Sequence, residues 1–148
     1  MAPWIIRPLL NPFKNPSMSY INSNPASESV TLVEVLEIIR PFEEFEAVIQ
    51  AAVRRLEAEG VQALVRMQFY IRPGSTEVGA VFTFANRDQF MEHINMITGW
   101  KEFKAFFRTV KPIDVRVYGQ LSAEAERWVR NFDVVSKTFD QYVAGFVR

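Results

Sequence analysis

Val61–Ala85 reads VQALVRMQFYIRPGSTEVGAVFTFA, and its alternation decides the fold. Val61, Ala63, Val65, Met67, Phe69 and Ile71 fall on one side of an extended chain. Gln62, Leu64, Arg66, Gln68, Tyr70 and Arg72 fall on the other, as the two-residue period of a strand requires. Pro73 and Gly74 suit the central pair of a type II turn, with glycine where φ must be positive. Thr76–Ala85 then returns as a second strand, so the stretch predicts a β-hairpin with one apolar face to be covered.

Upstream of the hairpin, Val30–Ile39 (VTLVEVLEII) is a β-branched run of strand length. Pro41 follows, with Glu43 and Glu44 placed for the positive end of a helix dipole. Phe42, Phe45, Ile49, Val53 and Leu56 recur at helical steps until Gly60 ends the helix. Downstream, Asn86 and Gln89 resemble a capping box. The helix they open runs through Phe90, Ile94 and Ile97, bends at Gly99 and resumes through Trp100, Phe103, Phe107 and Val110. Pro112 marks the exit into a strand over Ile113–Leu121, with Ile113, Val115 and Val117 in the apolar phase and Asp114, Arg116, Tyr118 and Gln120 in the polar one. Ser122 can cap a further helix, and Asp133 another that carries Val135, Phe139, Tyr142, Val143 and Phe146.

The resulting order is β-α-β-β-α-β with a helical tail: an α+β, ferredoxin-like split βαβ plan with a four-stranded antiparallel sheet. Right-handed crossovers place both helices on one sheet face. Residues 28–122 form that domain and residues 123–148 a C-terminal helical extension. Residues 1–27 differ in composition, with prolines and asparagines set among Trp4, Ile5, Ile6, Leu9, Leu10 and Phe13. They read as an extended arm lying on a surface.

The chain has 148 residues, enough for one domain with a real core, and its 17 basic and 17 acidic residues balance. That neutrality gives no electrostatic reason to hold nucleic acid or an anionic membrane. Without cysteine and with one histidine, thiol chemistry is excluded and a zinc site is disfavoured. No apolar run approaches the roughly 18 residues of a membrane helix. Pro3, Pro8 and Pro12 interrupt the opening segment in a way unlike a secretory signal. A cytoplasmic location is the expectation.

The second sheet face is mixed, with Leu64, Tyr70 and Tyr118 among Arg66, Gln68, Arg116 and Gln120. Such a surface calls for cover. A second copy packed sheet to sheet would supply it, or the N-terminal arm would. Arg66, Gln68, Tyr70, Arg116 and Tyr118 are candidate substrate-binding residues there, since two guanidinium groups could hold a carboxylate or stabilise an enolate. The plainer reading pairs them with Asp114, Glu34 or Glu37, or turns them to water. Of Glu34 and Glu37, one must share a phase with buried neighbours and so needs a partner; the pattern does not choose between them. Trp100, Phe103, Phe106 and Phe107 read as core. His93 is the candidate catalytic base, with a pKa suited to proton transfer, or else a buried side chain filling a gap. No phosphate loop, nucleophile elbow or paired-histidine motif is present.

Val30–Leu121 resembles the dimeric α+β barrel superfamily, in particular its antibiotic-biosynthesis-monooxygenase-like branch. The likeness rests on a strand followed by a helix with Phe45 near its start, on VFTFANRDQFMEHI, where Phe90 stands three before His93, and on VRVYGQLS. It implies a homodimer with a joint barrel and a small-molecule pocket. It also implies cofactor-independent oxygenation or isomerisation of a small aromatic or enolisable metabolite, with His93 as base. Haem-degrading members use the matching histidine as an iron ligand, but also a tryptophan upstream, where this chain has Thr83 and Phe84; no cofactor is therefore expected. The competing class is a non-catalytic ligand-binding or structural homodimer.

Overall fold

A computed structural model of the chain describes residues 25–148. Most of the expected arm, residues 1–24, lies outside the described residues. The ordered elements begin with a short helix α1 (Pro25–Glu28), strand β1 (Val30–Ile38) and helix α2 (Phe42–Ala58). The hairpin follows as β2 (Leu64–Ile71) and β3 (Glu77–Phe84), then α3 (Arg87–Ile97) and α4 (Lys101–Thr109). Strand β4 (Val110–Tyr118), helix α5 (Ala123–Arg130) and strand β5 (Val135–Phe139) complete the chain.

The local signals act as their chemistry requires. Ser75 N–H donates to the Arg72 carbonyl at 3.1 Å, and Gly74 has φ +73°, so Pro73-Gly74 closes the hairpin as expected. Gly60, just past α2, has φ +64°. Asn86 Oδ1 accepts from Gln89 N–H at 2.9 Å and starts α3. The reciprocal half of that box is open, because Gln89 Oε1 is buried without a partner among the described residues. At Gly99 the expected bend is a full break, and Trp100 takes the N-cap position of α4.

The sheet runs β2-β3-β1-β4-β5. Its first four strands are antiparallel in the split βαβ order, and β5 adds parallel to β4. The sheet therefore has five strands where four were expected. The helix expected after Asp133 is a strand instead. VSKTF carries two β-branched residues and an aromatic in five positions, and the open edge of β4 offers unpaired backbone groups that a strand satisfies and a helix would not. The helical extension is thus half helix, α5, and half strand. Strand β4 begins at Val110 rather than Ile113, which removes Val110 from the helix; Pro112 is tolerated because the register shifts there against β1. Ile113, expected in the buried phase, is exposed beside that shift.

A second irregularity reverses one expected orientation. The β2–β3 register shifts between Leu64 and Arg66. Leu64 then pairs with buried Phe84 and packs into the core, while Val65 is turned out, 63% exposed. A bulge inserts one unpaired residue and so flips the phase on one side of it.

All helices that cover the sheet lie on one face, over two adjoining cores. Val30, Leu32, Phe84, Phe90, Ile94, Val115, Val117 and the α5 residues Ala125 and Val129 form the first. Leu36, Phe45, Val78, Ala80, Phe106 and Val110 form the second. Phe82 packs against both. No helix among the described residues is long and apolar enough to cross a membrane.

Candidate functional site

The seam between the two cores is not filled. A cavity of about 100 Å³ lies between the inner sheet face and helices α2, α3 and α4, with Trp128 of α5 at its side. Leu32, Phe69, Phe82, Phe84, Ile97 and Phe106 are among its walls. The phenylalanines of α4 serve two ends, since Phe103, Phe106 and Phe107 pack against one another and also line this space, as does Trp100 at the helix start.

Two ionisable side chains reach the cavity from opposite walls. His93 stands on the inward stripe of α3 with Phe90, Ile94 and Ile97 and is 4% exposed. Its ring lies 5.4 Å from the Phe84 ring, centroid to centroid, and its Nδ1 has no hydrogen-bond partner among the described residues. Burial pulls its pKa down to about 4, so the imidazole is neutral near physiological pH. Glu34 lies on β1 between Leu32 and Leu36, pairs with buried Ala80 and Val115 on the flanking strands, and is 7% exposed. No side-chain hydrogen bond or ion pair reaches it among the described residues. Burial pushes its pKa up to about 7, because an unpartnered carboxylate is costly away from water.

The structure therefore makes the choice that the β1 pattern left open: Glu34 faces the helices, and Glu37 lies in the other phase with Thr31, Val33 and Val35. Both phases of VTLVEVLEI are largely apolar, so alternation alone could not tell the inner from the outer. The partner that a buried carboxylate was expected to need is absent among the described residues, and a raised pKa takes its place.

A third charged residue at the cavity, Glu102, is already satisfied. Arg55 of α2 donates to it at 2.7 Å and lies 4.0 Å from the Trp100 ring centroid. The Arg55 hydrogen bond is the main reason that the Glu102 carboxyl is held below its ordinary range. This Arg55–Glu102–Trp100 group ties α2 to the start of α4 at the cavity wall.

The five candidate strand residues lie elsewhere. Arg66, Gln68, Tyr70, Arg116 and Tyr118 are exposed, in the phases of β2 and β4 that point away from the helices. β3 and β1 stand between the two strands. The structure gathers these five on one outer face but does not bring them to His93, because the sheet separates them. Arg116 donates to Asp114 at 3.0 Å, and that hydrogen bond is the main cause of its raised pKa. Arg66 donates to Gln68. Tyr118 stacks on Phe139 of β5, centroids 5.1 Å apart.

The strand order and the single helical layer have counterparts among solved structures. SnoaB, a cofactor-independent oxygenase from Streptomyces nogalater, superposes with a TM-score of 0.54 at 12% identity, over 65% of this chain and 96% of that one. The chain shares that fold. MupZ from Pseudomonas fluorescens gives 0.53 at 14% identity, over 80% and 95%. A conserved protein from Methanosarcina mazei Go1 gives 0.52 at 10% identity, over 64% and 94%. The fold expected from the antibiotic-biosynthesis-monooxygenase-like resemblance is thus the fold observed. No protein-family model and no curated protein matches the sequence.

Proposed function

We propose that the chain binds a small, flat, largely apolar metabolite in the cavity between sheet and helices. As an enzyme it would carry out cofactor-independent oxygenation or isomerisation, with His93 taking a proton from the bound compound. One observation carries this reading: two buried ionisable groups without partners among the described residues face one cavity that is largely apolar apart from the ion-paired Glu102. A core built only for stability has no use for such groups, whereas general acid–base chemistry needs them. The SnoaB likeness supports the reaction class, since that protein is a cofactor-independent oxygenase on the same fold.

The protein as a ligand binder is tested by thermal-shift screening of wild type and His93→Ala against quinols, aromatic acids and haem. A neutral quinol at saturation is expected to raise the melting temperature of wild type by roughly 4 °C or more and to leave the variant nearly unmoved. If no compound shifts wild type, the reading is wrong.

The outer face supports a homodimer. Thr31, Val33, Val35, Val81 and Thr83 line its centre and are only half-buried among the described residues, and Tyr70, Tyr118, Val135 and Phe139 stand exposed around them. A second copy laid sheet to sheet would cover this surface and enclose Arg66, Gln68, Tyr70, Arg116 and Tyr118 as a further ligand-facing set. Sedimentation at micromolar concentration should give a dimer, and Val33→Lys in the middle of the face should give a monomer. A wild-type monomer at that concentration would remove the proposal.

A further inference from the structure

We propose that Glu34 is a second catalytic residue, the proton donor opposite His93, and that the cavity promotes enolisation of a neutral cyclic ketone or its phenol-like enol. This rests on the reading above that the ligand occupies the inner cavity, and it names the reaction and the substrate class.

The placement of the two groups carries the inference. His93 packs beside Phe84, which pairs with Val30 at one end of β1. Glu34 is four residues further along the same inward phase, roughly 13 Å at the backbone. Leu32 and Phe82 form the apolar floor between them. Both side chains therefore line one cavity, His93 from the helix side and Glu34 from the sheet side.

The charges select the ligand. Among the described residues, the titratable ones at the cavity are Glu34, His93 and Glu102, with no lysine or arginine in its walls. Arg55, which touches the cavity wall through Glu102, is engaged by Glu102 and Trp100. A carboxylate or phosphate ligand would meet no counter-charge and would lie near Glu34. Between about pH 4 and 7 a neutral ligand meets one protonated acid and one neutral base.

The step balances without an oxidant. Imidazole takes a proton from the carbon next to the carbonyl, and the C–H electron pair becomes the C=C bond. The carbonyl π pair takes the Glu34 proton as the O–H bond forms. The product is an isomer of the substrate, and the imidazolium and carboxylate left behind are reset by proton exchange with water. Each charge appears only as the other does, which suits a weak buried base such as His93.

Cyclopentanone, small enough for the cavity, tests this in deuterium oxide, with α-proton exchange followed by proton NMR. Binding is followed separately by fluorescence of Trp100 and Trp128, both at the cavity. Wild type should exchange at least about tenfold faster than buffer. Glu34→Gln should fall to near the buffer rate while binding the ketone within about threefold of wild type, His93→Gln should fall to near the buffer rate, and Glu34→Asp should recover part of the rate. Wild-type exchange in a folded Glu34→Gln protein would overturn the role of Glu34. Binding by wild type without exchange would overturn the reaction and leave the cavity as a binding site. Absence of binding would overturn both this inference and the cavity reading beneath it. Tighter binding of a protonated aromatic amine than of the ketone above pH 7 would show an ion-pairing carboxylate in place of an acid.

Discussion

Glu34→Gln is expected to leave stability nearly unchanged at pH 4 and to raise it by about 3 kcal/mol at pH 8. The carboxyl ionises near 4.5 in the unfolded chain and near 7 in the fold. Between those values the native state holds a proton that the unfolded state has released. Native stability therefore falls as pH rises through that window and stays low above it. Glutamine is neutral throughout and removes the slope. His93 has the opposite sign. Its pKa drops from 6.5 to about 4 on folding, so the unfolded state binds the extra proton and stability rises with pH across that range, by up to about 3 kcal/mol. In wild type the two slopes oppose one another between roughly pH 4.5 and 6.5. Each substitution should expose the other group: a rise toward neutral pH in Glu34→Gln, and a fall in His93→Gln. Urea unfolding of the three proteins from pH 4 to 8 measures this directly. Parallel curves for all three would mean that neither group is desolvated in the fold, and the candidate site would lose its basis.

Gly119→Ala should destabilise the protein by about 3 kcal/mol or more, the combined cost of a strained backbone and a steric clash. Gly119 follows β4 with φ +122°, a region that side chains rarely tolerate. A Cβ placed there would stand 2.5 Å from the Ser29 carbonyl oxygen and 3.2 Å from the Val30 Cα. Both contacts are backbone, so no rotamer change relieves them. The Gly119 N–H also donates to the Phe139 carbonyl at 2.9 Å, so displacement of this residue disturbs the start of β1 and the end of β5 together. Gly60→Ala is the control. Gly60 has φ +64° with nothing within 4 Å of the added carbon, and its cost should stay near 1 kcal/mol. Equal losses in the two variants, by urea unfolding, would show that conformation alone acts and that the close approach to Ser29 is relaxed at no cost.

The sequence by itself determined the inventory and order of the first six main elements. Period-two alternation, the Pro73-Gly74 turn, the Asn86 cap and the aromatic stripes of α2 and α3 are local signals, and a split βαβ order leaves little freedom in how they assemble. The same alternation determined that Arg66, Gln68 and Tyr70 share a face. It also marked His93 as the residue to watch, because its place beside Phe90 and Ile94 is a matter of helical spacing.

Only the tertiary structure decided which way that face looks. Periodicity divides a strand into two sides without saying which is inside, so β1, apolar on both, hid Glu34 among its aliphatics until α2 and α4 were laid over it. The slip near Val65 that brings Leu64 inward is a pairing irregularity with no mark in the residues themselves. The same holds for β5: VSKTF becomes a strand because β4 presents an open edge, a partner 21 residues away in sequence. The cavity is of this kind too. It exists because two cores packed by different helices meet without closing, and the charge states of Glu34 and His93 follow from that enclosure, which no stretch of sequence contains.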